Sequence, residues 1–187
     1  MIFAINGSNS EWSINKKLLK SVIKHSEVNA NLLEIESLDI PIYSIQRQQK
    51  HGFPQEILEL NESLNNASGF IISTPEHNGF FTAFFKNLID WLSRLDRKVF
   101  RDKFVVILST SPGKMGGKTA AISLSTLVNR MGGRVISVHS LPSFKENYDE
   151  STGEILNGEF LSEVKHAVKQ MELDIKTEKS KELELVV

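Results

Sequence analysis

Three short stretches of this chain gather groups suited to holding an anion or a flat polar molecule. The first, NGSNSEWSIN from Asn6 to Asn15, sets Gly7 and the hydroxyls of Ser8, Ser10 and Ser13 just ahead of a helical pattern. Backbone N–H groups at a helix start, hydroxyl donors and the helix dipole together favour a phosphate. The same serines also suit plain N-capping by Ser13, which needs no ligand. The stretch is neither a P-loop nor a dinucleotide fingerprint, because the GxxxxGK(S/T) and GxGxxG patterns are both absent. The second stretch, TPEHNG from Thr74 to Gly79, offers Glu76 and His77 as an acid–base pair. Neighbours in sequence seldom face one another, however, and a lone loop histidine more often packs or hydrogen-bonds than catalyses. The third stretch, STSPGKMGGKTA from Ser109 to Ala120, places Pro112, Gly113, Gly116 and Gly117 within six residues. Such a loop permits positive φ angles and close approach to a flat ligand, or is a flexible surface turn. Lys114 and Lys118 within it either meet a phosphate or are simply solvated.

Each stretch lies between a strand pattern and a helix pattern. Met1 to Ile5 reads as a strand, with Ile14, Leu18, Val22 and Ile23 at helical spacing after it. Ala30 to Ile35 is a second strand, Ile57, Leu60 and Leu64 mark a second helix, and Ser68 to Thr74 is a third strand. A helix over Phe80 to Leu92 follows. Phe104 to Leu108 is a continuous apolar run, as expected of a parallel strand buried on both faces. Beyond it come a helix from Gly116 to about Arg130, a fifth strand over Arg134 to Val138, and an amphipathic helix carrying Phe160, Val164, Ala167, Val168 and Met171. Alternation of this kind predicts an α/β fold: a flavodoxin-like three-layer sandwich with a five-stranded parallel sheet in the order 2-1-3-4-5 and helices on both faces. Ligands of such sheets bind at the carboxyl ends of the strands, near the switch point between strands 1 and 3. The three stretches are the turns after strands 1, 3 and 4.

Composition narrows the chemistry. The 187 residues contain no cysteine, which removes disulfides, thiolate nucleophiles and cysteine-ligated metal centres, so redox chemistry requires a bound cofactor. The five histidines, His25, His51, His77, His139 and His166, show no metal-site spacing, and no metal is expected. A formal net charge of -1 gives no field to attract nucleic acid or an anionic membrane, and neither is expected as a partner. With no signal-like start and no apolar run of membrane length, the expectation is a soluble cytoplasmic protein.

Taken in order, the three turns resemble those of the NAD(P)H-dependent FMN reductases of flavodoxin-like fold, which include quinone, azo-dye and chromate reductases. TPEHNGFFTAFFKNLIDWLSR is similar to the family's TPEYNGxxPxxLKNAxDWxSR. SPGKMGG resembles its SPGGxGG turn, and GSNSEWSIN its GSxRxxSxN. The resemblance runs from Ile2 to about Leu173. It implies an FMN whose phosphate is taken by Ser8, Ser13 and Asn15 with the backbone at Ile14. Pro75, Glu76, His77, Asn78 and Gly79 would line the isoalloxazine, and Ser111, Gly113 and Gly116 would close its other edge. It also implies NAD(P)H as co-substrate, ping-pong hydride transfer through flavin N5 to a small-molecule acceptor, and no catalytic side chain. Two positions depart from the family pattern: Ser10 stands where the family has arginine, and His77 where it has tyrosine.

Residues 1–175 are expected to form one flavin-binding domain, with 176–187 a charged tail that extends the last helix, pairs with a partner or stays disordered. The polar segment from Ser140 to Asn157 reads as a long loop or lid. Phe80, Phe81, Phe84, Phe85, Leu88, Ile89, Trp91 and Leu92 cover a wider arc than one sheet face needs. Either the helix is deeply buried or it meets a second subunit, and a homodimer or homotetramer is expected. Arg94, Arg97, Lys98, Arg101 and Lys103 form a basic cluster best read as a solvated face. A flavodoxin-type electron carrier and a flavin-free binding module are the alternatives to an enzyme.

Overall fold

A computed structural model describes residues 1–184. Five parallel strands form the sheet: β1 (Ile2–Asn6), β2 (Ala30–Leu33), β3 (Gly69–Thr74), β4 (Phe104–Thr110) and β5 (Arg134–Leu141). Their order is β2-β1-β3-β4-β5, as the alternation of patterns predicted. Helices α1 (Ile14–Ser26) and α7 (Gly158–Glu184) cover one face, and α3 (Gln55–Asn65), α4 (Ala83–Leu95) and α5 (Lys118–Arg130) the other. β3 is buried along its whole length and β4 in all but its first residue, which is why both are unbroken apolar runs ending in small hydroxyl residues. Those hydroxyl ends, Ser73, Thr74, Ser109 and Thr110, are buried where the chain leaves the sheet.

Several expectations change. The helix after β3 begins at Ala83 because Thr82 caps it, and Phe80 belongs to the preceding turn. Phe81, Phe85, Leu88, Ile89, Trp91 and Leu92 are all buried within one chain, while Phe84 is half-buried and Phe80 is 46% exposed, so most of the apolar arc is covered from within. Trp91 helps explain why. Its indole N–H donates to the Pro41 carbonyl at 2.8 Å, and the rings of Tyr43 and Phe53 meet it edge-on under the β2–α3 connection.

The segment from Ser140 to Asn157 is neither a long loop nor a lid. β5 runs on to Leu141, and a short α6 (Phe144–Asn147) and a hairpin of β6 (Tyr148–Asp149) and β7 (Glu154–Ile155) follow. Phe144, Tyr148 and Ile155 are buried, but they are spaced too irregularly to show as a period. Lys17–Glu150 and Lys24–Glu154 ion pairs hold the hairpin to α1. A helix α2 (Ile45–His51), capped by Ser44, was also invisible in the sequence because none of its residues is buried. Residues 176–184 continue α7 without a break, while 185–187 lie outside the described residues. The basic cluster is largely engaged locally: Lys98 pairs with Asp102, Arg101 with Asp96 and Asn61, and Arg94 lies over the Tyr43 ring.

Candidate functional site

Strand order reverses about β1 and β3, so the turns that follow them diverge and leave a crevice at their carboxyl ends. The first wall is the β1–α1 turn. Ser13 caps α1: its Oγ accepts from the Lys16 amide at 3.2 Å and donates to Asn6 Oδ1 at 3.2 Å. Ser8 is buried, with its Oγ accepting from the Ser10 amide. Ile14 and Asn15, the first residues of α1, have amides bonded to no acceptor among the described residues. Free donors at the positive end of a helix dipole make an anion site. The Asn15 side chain points the other way. Only 1% exposed, its carboxamide accepts from the Thr110 amide at 2.9 Å and Ser73 Oγ at 3.1 Å, and donates to the Thr110 carbonyl at 3.0 Å. The β3–β4 ladder ends at Thr74 and Ser109, and the next residue on β3 is Pro75, which has no N–H. Asn15 therefore takes up the Thr110 amide and carbonyl where the β3–β4 ladder has ended.

The second wall follows β3. His77 and Phe80 exchange backbone hydrogen bonds of 2.8 and 3.1 Å across Asn78 (φ 54) and Gly79 (φ 78). This is a two-residue hairpin of primed type, for which Asn-Gly is the preferred pair because both residues need positive φ. His77, Asn78 and Gly79 are exposed at its tip, and Pro75 and Glu76 are half-buried at its base. Glu76 does not face His77. Its Oε2 accepts from the Ala120 amide at 3.2 Å, in the first turn of α5, whose own N-cap, Gly117, has no side chain to offer. The carboxylate thus caps α5 and faces its dipole. Thr82 completes the wall: one hydroxyl donates to the Gly7 carbonyl at 2.5 Å and accepts from the Phe85 amide at 3.1 Å. The β1 and β3 turns are locked together by it.

The third wall is the β4–α5 turn. The carbonyls of Ser111 and Gly113 accept from the amides of Phe144 and Ser143, each at 3.0 Å, which ties this turn to the chain leaving β5. Gly116 lies so close to that chain that a Cβ would sit 2.6 Å from the Leu141 oxygen. All twelve residues singled out in the sequence therefore lie on three adjoining walls. Thr82, Asn6, Ser73 and Thr110 hold those walls in place and were missed, because nothing in the sequence distinguishes a bridging hydroxyl from an ordinary cap. Glu76→Ala is expected to cost the protein without ligand about 1 kcal/mol through the uncapped α5. Glu76→Gln, which keeps an acceptor, should recover most of it. Equal thermal midpoints for all three proteins would show that the contact is idle.

The sheet order, the crevice and the free amides at α1 define a flavodoxin-like α/β protein built to hold a phosphorylated flat ligand. More narrowly, the chain belongs to the NADPH-dependent FMN reductase family, whose description matches residues 1–145. Family enzymes use FMN with NAD(P)H as electron donor, and this chain is an oxidoreductase of that kind. It is similar to a quinone reductase of Escherichia coli, 30% identical over 162 residues that cover 83% of this chain and 85% of the relative. A NADH:(hydroxy)cinnamate reductase subunit of Vibrio ruber is 33% identical over 126 residues, 67% of this chain and 61% of its own length. Among solved structures, the flavoenzyme NAD(P)H:(acceptor) oxidoreductase of Paracoccus denitrificans superposes with a TM-score of 0.72 at 23% identity, covering 94% of this chain and 97% of the other. No helix among the described residues is long and apolar enough to cross a membrane.

Proposed function

We propose that this protein reduces small, flat oxidants such as quinones, azo compounds or free flavin with electrons from NAD(P)H, in a ping-pong cycle through FMN. The observation that carries the reading is the convergence of three braced turns on one crevice, with unbonded helix-start amides at one end. FMN, when bound, supplies the acceptance of a hydride at N5 and its delivery to the oxidant. The chain supplies position. The amides of Ile14 and Asn15, with the Ser8 hydroxyl, hold the phosphate. The capping and bracing bonds already made by the Ser13 and Asn15 side chains give those residues a supporting part. The backbone of Pro75 to Gly79 and the turn carrying Ser111, Gly113 and Gly116 flank the ring from opposite sides. No side chain in the crevice is needed to move a proton to a carbon centre. His77, exposed at the hairpin tip, touches the ring or its substrate.

Ser10 leaves the phosphate without a guanidinium partner, so its charge is met by dipoles alone and FMN should exchange more readily than from an arginine-bearing relative. A homodimer or homotetramer is part of this reading, with Phe80, 46% exposed beside the crevice, as a residue a second subunit would cover.

Purification tests the whole. The expected result is a yellow protein, or one that turns yellow and quenches flavin fluorescence on adding FMN. It should oxidise NADH or NADPH with a quinone, giving parallel double-reciprocal plots. A colourless protein that ignores FMN would overturn the reading. Flavin binding without NAD(P)H turnover would instead make it an electron carrier.

A further inference from the structure

A cavity of about 380 Å³ opens at the free edge of β5, between α5 and α7 and on the side of the β4–α5 turn away from the crevice. None of the twelve crevice residues lines it. Its lining combines charged and apolar groups. Lys114 and Lys118 are both exposed, and neither ammonium is in an ion pair among the described residues. Lys118 is the first residue of α5, at the positive end of its dipole, where a cation is disfavoured. Within the chain, the Glu76 carboxylate at the same helix end offsets part of that cost.

Met115 and Ile122, 64% and 50% exposed, and the ring of Phe160 supply the apolar part of the lining, with Ile122 one helical turn beyond Lys118. His139 lies edge-on to Phe160, their centroids 6.3 Å apart, with its Nδ1 3.6 Å from the Glu163 carboxylate. Burial holds the His139 pKa below its ordinary value, with Glu163 partly offsetting the shift. The ring is therefore neutral near pH 7, and the positive charge of the cavity comes from the two lysines.

The volume lies at the small end of the range for ligand sites, roughly 300 to 1,000 Å³. An inorganic anion would satisfy the lysines and leave the apolar lining against water. A neutral aromatic would cover that lining and leave both ammoniums unmatched. We infer that the cavity is a binding site for a small aryl carboxylate, its carboxylate between Lys114 and Lys118 and its ring against Met115, Ile122 and Phe160. This follows from the cavity alone and does not depend on the reaction at the crevice.

Calorimetric titration of the full chain, with its FMN content recorded, tests the inference using benzoate as probe. For so few atoms a dissociation constant near 1 mM is the reasonable scale. Saturable binding is expected. The double variant Lys114→Gln with Lys118→Gln should weaken it at least tenfold, and benzamide should bind at least tenfold more weakly than benzoate. Glu163→Gln should tighten benzoate by about threefold, since it removes a like charge from the rim. That gain is a result a damaged protein cannot give.

The lysine variant should melt no lower than the parent, because it relieves the α5 dipole. No saturable heat up to about 10 mM would overturn the site, ten times the scale set above. So would equal benzoate binding by the lysine variant, or phosphate displacing benzoate at matched concentration. Benzoate that competes with NAD(P)H and ignores the lysine variant would place it at the crevice instead, which also overturns the inference.

Discussion

Gly116→Ala is expected to destabilise the protein without ligand by about 2–4 kcal/mol and to weaken FMN binding beyond that. Two independent terms add here. Gly116 has φ +59, a conformation that costs an L-residue roughly 1 kcal/mol. Its Cβ would also lie 2.6 Å from the Leu141 oxygen and 2.7 Å from the Leu141 carbonyl carbon. Both neighbours are backbone, so no side chain can swing aside, and either the β4–α5 turn or the end of β5 must move. Urea midpoints of the flavin-free protein and FMN affinity by fluorescence quenching measure the two effects separately. Gly113→Ala is the control. Its nearest neighbour would be Ser111 Oγ at 3.8 Å and its φ is not in the positive range, so flavin-free stability should stay within about 0.5 kcal/mol. If the flavin ring packs on this turn, affinity alone falls. Parent-like behaviour of the Gly116 variant in both measurements would refute the account of this turn.

Asn15→Ala is expected to cost about 3–5 kcal/mol, again in the absence of flavin. Truncation leaves the Thr110 amide, the Thr110 carbonyl and the Ser73 hydroxyl without their partner, at positions no more than 1% exposed. Each such buried group costs about 1–3 kcal/mol when unsatisfied. Asn15→Asp keeps the acceptor but cannot donate to the Thr110 carbonyl and brings a buried charge, so it should fare no better. The outcome separates two roles for one residue. If Asn15 served only the phosphate, its loss would lower FMN affinity and leave the flavin-free midpoint untouched, and that pattern would sink the bracing role. The structure favours a large fall in the midpoint, with FMN affinity following because the β3 and β4 turns are no longer held at a fixed separation.

Both predictions show where the sequence was legible and where it was not. The sheet and its order could be anticipated because βαβ units leave a clear trace: FIIST and FVVILST are buried on both faces, and the intervening helices repeat at their own period. Elements without a buried stripe left no such trace, as with α2, or left one too irregular to read, as with Phe144, Tyr148 and Ile155 around the β6–β7 hairpin. At the site, the three turns were recognisable from residue type and spacing. Their individual roles were less so. Ser13 and Asn15 look like outward-facing donors beside a glycine-containing turn, yet both side chains turn inward to brace the strand ends. Glu76 looks like one half of an acid–base pair with its neighbour His77, yet it caps a helix that begins 42 positions later.

By itself, then, the sequence determined the fold class, the absence of thiol chemistry, and the three turns that meet at the ligand edge. Those properties follow from local periodicity, composition and turn chemistry, all of which act over a few residues. Only the tertiary structure decided which donors remain free at that edge and which are spent holding it together. It also decided that most of the apolar arc of α4 is covered from within, and that Lys114 and Lys118 share a cavity with Phe160. Hydrogen-bond partners and cavities are set by groups dozens of residues apart, and their pairing exists only once the sheet has placed them side by side.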